Sequence, residues 1–167
     1  MTPDALLSRL TELDIQHQTI QHAAVFTVSE AKTIRGRLDG AHVKNLFLRN
    51  KKGRMWLLTC LEDRQLELKA LGEHLGAKRL SFASAERLDT YLGVIPGAVT
   101  PLAAINDVEG KVTVVLDEKL LDHHPLNVHP LVNTMTTAIS AQDLLLFLRS
   151  TGHEPVVINL DHFLKPG

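Results

Sequence analysis

Val43-Lys44-Asn45-Leu46-Phe47-Leu48-Arg49-Asn50-Lys51-Lys52-Gly53-Arg54-Met55-Trp56-Leu57-Leu58-Thr59-Cys60-Leu61 reads as two apolar strands, Val43 to Arg49 and Met55 to Leu61, joined by a short basic turn. Asparagine and glycine in that turn are residues that tolerate tight backbone conformations. A connection this short can join only antiparallel strands, because a parallel pair needs a crossover of a dozen residues or more. The chain therefore contains at least one hairpin.

Working outward, the elements alternate irregularly. Thr2 caps a helix that begins at Pro3 and carries Leu6, Leu7, Leu10 and Leu13 on one stripe. His17 to His22 is a short strand. Thr27-Val28-Ser29-Glu30 fits a capping box, which predicts a helix towards Arg35. After the hairpin, Leu66, Leu68, Leu71 and Leu75 predict a helix before Gly76, Arg79 to Phe82 a strand, and Ser84 to Leu92 a helix. Leu102 to Ile105, Val112 to Leu116, Leu126 to His129, Thr134 to Ile139 and Pro155 to Leu160 read as extended, and Ser140 caps a helix that Gly152 ends. No regular βα repeat, linker or low-complexity tract is present. The pattern predicts one α+β domain over residues 1–167, not a doubly wound sheet.

The 167 residues are 44% hydrophobic, enough for one sizeable core and too many for a disordered chain. No apolar run is long enough to span a bilayer, and Met1-Thr2-Pro3-Asp4 lacks a signal-peptide pattern. The single cysteine, Cys60, excludes an internal disulfide framework and fits a reducing cytoplasm. It lies in an apolar run, so it reads as core packing and not as a nucleophile. A net charge of −1 argues against a whole-surface nucleic-acid binder. From Lys32 to Arg54, however, eight cations face one acid, Asp39, so that window is +7 and the remainder −8. Arg49, Lys51 and Lys52 at the basic turn are either an ordinary solvated tip or an RNA backbone contact.

Three segments carry candidate chemistry. Pro96-Gly97-Ala98-Val99-Thr100-Pro101 is a stiff loop whose amides at Gly97, Ala98, Val99 and Thr100 can meet a carbonyl, carboxylate or phosphate; alone it reads equally as a rigid turn. Lys44 and Asn45 open an apolar strand. Alternation puts Lys44, Leu46 and Leu48 on one face and Asn45 and Phe47 on the other. Lys44 is then either an edge lysine that blocks aggregation or a cation for phosphate or oxyanion. His129-Pro130-Leu131-Val132-Asn133-Thr134 places an imidazole and an amide around a proline bend, where either can be structural or can face a substrate. Nothing resembles G-x-S-x-G, a P-loop or G-x-G-x-x-G, and the nine histidines show no metal-ligand spacing. No metal or cofactor is expected.

Together with Ala24-Val25-Phe26-Thr27-Val28-Ser29-Glu30-Ala31, these segments resemble, in order, the editing domain associated with bacterial prolyl-tRNA synthetase. The nearest pattern is the freestanding branch that deacylates alanyl-tRNA(Pro). The resemblance runs from about Ile20 to Leu160. It implies a mixed, mostly antiparallel curled sheet flanked by helices, and an ester hydrolase of mischarged tRNA. It implies Lys44, Asn45, Gly97 and His129 as catalytic residues, and Thr27, Ala98, Val99, Thr100, Pro101 and Asn133 as substrate-binding residues. The implied partner is the acceptor end of tRNA(Pro), with recruitment by prolyl-tRNA synthetase left open. Two alternatives stay in view: a deacylase for cysteinyl-tRNA(Pro) or another small amino acid, and a non-catalytic module that binds nucleic acid or docks a synthetase.

Overall fold

The computed structural model describes residues 1–24 and 38–166. Within them the helices are α1 (Pro3–Glu12), α2 (Leu68–His74), α3 (Ala85–Leu92) and α4 (Ala141–Ser150). The strands are β1 (His17–Gln21), β2 (Ala41–Arg49), β3 (Met55–Leu61), β4 (Ser81–Phe82), β5 (Val112–Asp117), β6 (Leu126–Val128), β7 (Met135–Ile139) and β8 (Val156–Ile158). The capping box at Thr27 to Glu30 and the helix expected towards Arg35 lie outside the described residues.

β2 and β3 form the expected hairpin, in register from Val43 opposite Leu61 to Arg49 opposite Met55. The turn closes by Asn50 N donating to Arg54 O at 3.0 Å and Gly53 N to Asn50 O at 3.1 Å. Gly53 sits at φ +84°, where a side chain would be strained. Side chains alternate across this hairpin, and each face builds its own core. Phe47, Met55 and Leu57 join α1, α3 and α4 in a large apolar cluster on one side. Leu48, Trp56, Leu58 and Cys60 join Leu71, Leu80 and Leu160 on the other. The hairpin is thus buried on both faces, which explains why β3 reads as a continuous apolar run instead of an alternating one.

The sheet runs β1-β7-β6-β2-β3-β5-β8, with β4 also on β2. Among the described residues four strand pairings are antiparallel and three, β2–β6, β3–β5 and β5–β8, are parallel. The domain is a mixed-sheet α+β fold. One detail of this order positions everything that follows. On the edge of β2 away from β3, β6 pairs only with Ala41 and His42, and β4 pairs only with Leu48 and Arg49. The sheet is split between them.

Two expectations change. Leu102 to Ile105 is not a strand. Pro101–Asn106 forms a 3-10 turn, with Pro101 at its start and the Thr100 hydroxyl accepting from Leu102 N at 3.3 Å. Leu102, Ala103 and Ala104 are buried together against α3 and α4, and a short apolar run carries no periodicity that tells a buried turn from a buried strand. Helix α2 begins at Leu68, not Leu66, because Leu66 forms a bridge with Leu164.

The end of that 3-10 turn is tied into the core by polar groups. Buried Asp107 accepts from Lys111 N at 3.0 Å, from Val112 N at 2.8 Å, and bonds His153 Nε2 at 2.8 Å. His153 lies just past α4 and also bonds the Thr151 hydroxyl at 2.8 Å. Asp107→Ala leaves two backbone donors and a ring N–H without their acceptor, at about 1–3 kcal/mol for each buried one. We expect a loss of about 2–5 kcal/mol in urea unfolding of Asp107→Ala. A loss below 1 kcal/mol would show that water replaces the carboxylate at about no cost.

Candidate functional site

Where β6 and β4 part, a cavity of about 260 Å³ opens against the uncovered edge of β2. Val43, Lys44 and Asn45 form its floor along the strand. Pro96, Gly97 and Val99 of the proline-rich loop form one wall. Asn127, Val128 and His129, at the end of β6, form the opposite wall, with Thr136 from β7 and His22 from the end of β1. The split in the sheet exposes main chain and side chains of a strand that is otherwise central, and this brings segments spread from His22 to Thr136 to one place.

Several polar groups at this site are oriented by a partner. Thr59, fully buried and directly opposite Asn45, donates its hydroxyl to Asn45 Oδ1 at 2.6 Å. That leaves the two Asn45 Nδ2 protons as the donors the amide can offer. His129 Nδ1 lies 2.8 Å from Met135 O. A carbonyl only accepts, so Nδ1 carries the proton and Nε2 of the neutral ring holds a lone pair. The same logic applies to His22: Nδ1 donates to Ala23 O at 2.8 Å, and Nε2 of the neutral ring accepts from the Thr136 hydroxyl at 2.8 Å. The two rings stand 6.4 Å apart, centroid to centroid. Burial lowers the pKa of His129; the Met135 carbonyl works against this and the neighbouring His22 adds to it. The neutral form is therefore favoured at neutral pH.

Lys44 lies across β2 from Asn45, on the face that carries Leu46 and Leu48. Its ammonium donates to Arg64 O. Arg64 is itself clamped, its Nε 3.1 Å from the buried Asp117 carboxylate and its Nη1 2.6 Å from Asp161. Lys44 is thus held on the cavity floor by a fixed loop. Cys60, directly opposite it in register, is fully buried, and burial pushes its thiol up to about 12 even with the Lys44 charge acting in the other direction. Such a thiol is inert at neutral pH.

The cavity thus gathers Lys44, Asn45, Gly97, Val99 and His129. The other expected residues lie elsewhere. Ala98 and Thr100 are fully buried behind the wall, and Pro101 is buried at the start of the following turn. The Ala98 amide is already donated to Ile95 O at 2.9 Å, so it is not one of the loop's available donors. Asn133 is buried in the bend after His129 and does not line the cavity. Thr27 lies outside the described residues. Arg49, Lys51 and Lys52 sit at the far end of β2. Six residues of extended strand separate Lys44 from Asn50, about 20 Å. Gly97 falls in a 3-10 turn and is not among the positive-φ glycines, so its backbone conformation does not itself require glycine. Sequence reasoning missed five polar lining residues, His22, His42, Glu62, Asn127 and Thr136. The partners of His22, Thr136 and Asn127 lie on strands whose neighbours no local pattern specifies. Among the described residues no group of three or more His, Cys, Asp or Glu side chains could hold a metal ion, and no helix is long and apolar enough to cross a membrane.

The family model of the aminoacyl-tRNA editing domain matches residues 22–147. The chain is 41% identical over 162 residues to prolyl-tRNA synthetase associated domain-containing protein 1 of Bos taurus, covering 94% of each chain. It is 37% identical over 157 residues to the prolyl-tRNA editing protein ProX of Acetoanaerobium sticklandii, covering 93% of this chain and 96% of that one. The fold superposes on the crystal structure of the hypothetical protein APE2540 with a TM-score of 0.73 at 20% identity, over 93% of this chain and 97% of the other. A cavity at a split sheet, built from the same three segments that the family model spans, therefore sits in a chain that belongs to the aminoacyl-tRNA editing domain family.

Proposed function

We propose that this chain is a trans-editing deacylase that hydrolyses the ester of alanine mischarged on tRNA(Pro). The observation that carries the reading is the small cavity between Gly97 and His129, with oriented donors and acceptors around it. The need for such a site follows from size. A synthetic site built for proline cannot exclude the smaller alanine, and apolar contacts separate small groups by only about 1–3 kcal/mol per methylene. A second site that accepts alanine and rejects proline by volume supplies the rest.

In this reading, the aminoacyl group enters between Gly97 and Val99 on one side and His129 on the other. Asn45 Nδ2 and the remaining loop amides receive the ester carbonyl and the oxyanion that develops from it. A water is the nucleophile, since the one thiol is buried and inert. The neutral His129 accepts a hydrogen bond from that water at Nε2 and takes up its proton as the oxygen bonds to the carbonyl carbon. The tetrahedral intermediate then collapses. The ribose oxygen leaves with that proton, and free alanine and tRNA are released. Lys44 supplies positive charge to the terminal phosphate. The test is single-turnover deacylation of alanyl-, cysteinyl-, seryl- and prolyl-tRNA(Pro). Alanine should be released fastest and proline not at all; fastest release of cysteine would transfer the reading to the cysteinyl substrate, and tRNA binding without any release would make the domain a binding module.

Three further outcomes follow from the geometry. Lys44→Ala should slow alanine release by about 10²–10³-fold while the melting temperature stays close to that of the parent protein; a rate near that of the parent would remove Lys44 from the mechanism. Gly97→Ala adds a methyl group to the cavity wall at a backbone conformation that alanine tolerates. It should therefore leave stability nearly intact and cut release of serine more than release of alanine, measured side by side. Equal losses on both substrates would separate the wall from selectivity.

The third outcome concerns pH. The neutral His129 ring is the working form, and its pKa is lowered chiefly by burial. As pH falls, the midpoint of the rate loss should lie below the ordinary histidine value. His22→Asn removes the neighbour whose protonated form lowers the pKa of His129 and should move this acid limb to higher pH. Stability follows the same sign: between the lowered and the ordinary value the unfolded chain binds more protons, so stability falls as pH falls through that window. A pH–rate profile of the two proteins that superimposes would exclude His129 as the titrating group.

A further inference from the structure

The donors of the cavity are used by the mechanism above, whereas two of its acceptors are not. Asn45 offers its Nδ2 protons to the carbonyl, and His129 keeps its Nε2 lone pair for water. Glu62 and Asn127 line the same cavity and have no part in that chemistry. Among the described lining residues Glu62 carries the one carboxylate, opposed by the one ammonium of Lys44.

The two acceptors lie in one row across three strands. Just beyond the last β2–β3 pair, Glu62 N donates to His42 O at 3.1 Å. On the other side of β2, Asn127 stands beside His42 in the parallel β2–β6 register. Strands lie about 4.8 Å apart, so Glu62 and Asn127 flank His42 at about 10 Å from each other. Lys44 is two residues further along β2, and His129 two residues past Asn127, about 7 Å from the row. Both acceptors are held in place. Leu61 N and Arg64 Nε, on either side of Glu62, lie 3.4 Å and 3.1 Å from one oxygen of buried Asp117. A carboxylate has about four lone-pair sites, so Glu62 can bond a ligand alongside a protein neighbour. Asn127 is only 7% exposed. Its Nδ2 donates to Asp39 O at 2.8 Å and to Ala41 O at 3.2 Å, which fixes the orientation of the amide. Its Oδ1 is buried without a hydrogen-bond partner. An orphaned buried acceptor costs stability until a donor arrives. A carboxylate and an orphaned carbonyl on facing walls suit a cation that brings several N–H groups of its own. Among the described residues no group of three or more His, Cys, Asp or Glu could hold a metal ion instead.

We infer that Glu62 and Asn127 form an ammonium subsite, which holds the α-ammonium of a bound aminoacyl group and so fixes its carbonyl beside Asn45. An α-ammonium has three N–H donors and lies two bonds from the carbonyl carbon, and enclosing it without acceptors is costly. That the ammonium belongs to an aminoacyl ester rests on the editing function proposed above; the subsite itself does not. The test uses two non-hydrolysable probes, 3′-alanylamino-3′-deoxyadenosine and its 3′-isobutyrylamino counterpart, in which a methyl group replaces the ammonium. Their affinities are measured by isothermal titration calorimetry at about pH 6.5, below the α-amino range of about 7.7–8.0. The parent protein should prefer the alanyl probe by about 10- to 150-fold, the worth of a hydrogen bond to a charged group. Glu62→Gln, which keeps the size of the side chain, should bind the isobutyryl probe as the parent does and lose about 10-fold or more of the preference. Asn127→Ala should lower the same ratio, since the loss of its bonds to the two carbonyls falls on both probes alike. Equal affinities for the two probes in the parent, binding of neither, or a Glu62→Gln variant that weakens both equally would overturn the subsite. Single-turnover release of alanine from alanyl-tRNA(Pro) by the parent separates the two readings. A preference that Glu62→Gln removes, in a parent that releases no alanine, would overturn the editing function and leave the subsite standing; release of alanine without any preference would do the reverse.

Discussion

The structure depends on β2 being central without being fully paired. One edge is zipped to β3 along its length, and both faces are covered by apolar clusters. The other edge is held only at its two ends, by β6 and by β4. A strand fixed so firmly on three sides can leave part of its fourth side open at little risk to the fold. Unpaired strand edges are ordinarily a hazard, because they template pairing with other chains. Here the opening lies within a split sheet, where loops and side chains narrow access to it.

The polar groups in the opening follow the same logic at smaller scale. A buried amide or imidazole is costly unless its hydrogen bonds are made. Asn45 and His129 each spend one polar atom on an internal partner, and His22 spends both ring nitrogens. For Asn45 that partner is a fully buried threonine, and for His129 it is a backbone carbonyl. This settles orientation without using every donor and acceptor. What remains, the Nδ2 protons of Asn45 and the Nε2 lone pair of His129, is fixed in direction before any ligand arrives. Preorganised groups of this kind need no rearrangement during a reaction.

The hairpin, the caps at Thr2, Ser84 and Ser140, and the α+β class were legible because each rests on local chemistry. So were the three segments at the cavity, though only as segments. What the sequence withheld was adjacency. Nothing local says that β6 lies beside β2 or that β7 lies beside β1, so His22 and Thr136, more than a hundred residues apart, were invisible as a pair. Periodicity also failed where burial was complete: Leu102 to Ala104 has no polar side to mark its period, and a turn was read as a strand. Ala98 and Thr100 were read as contact residues from their place in the loop, whereas both point inward to hold it. A loop motif contains its supports as well as its surface, and spacing alone does not sort them.

Those supports matter to selectivity by size. A wall that gives way by an ångström admits a larger side chain, so in the proposed reading discrimination between alanine and proline would be only as good as the wall is stiff. The wall here is the turn from Pro96 to Val99, and its rigidity comes from behind. Two prolines fix its backbone torsions, Ala98 is fully buried, and Thr100 caps the next turn. That turn ends at Asp107, which is bound to two backbone amides and, through His153, to the end of α4. The chain of contacts runs from the cavity surface to the C-terminal helix without a freely mobile link. Under the proposed function, stability and selectivity would therefore be carried by overlapping residues in this fold: a change that loosens Asp107, though it touches no ligand, would also soften the wall on which exclusion by volume relies.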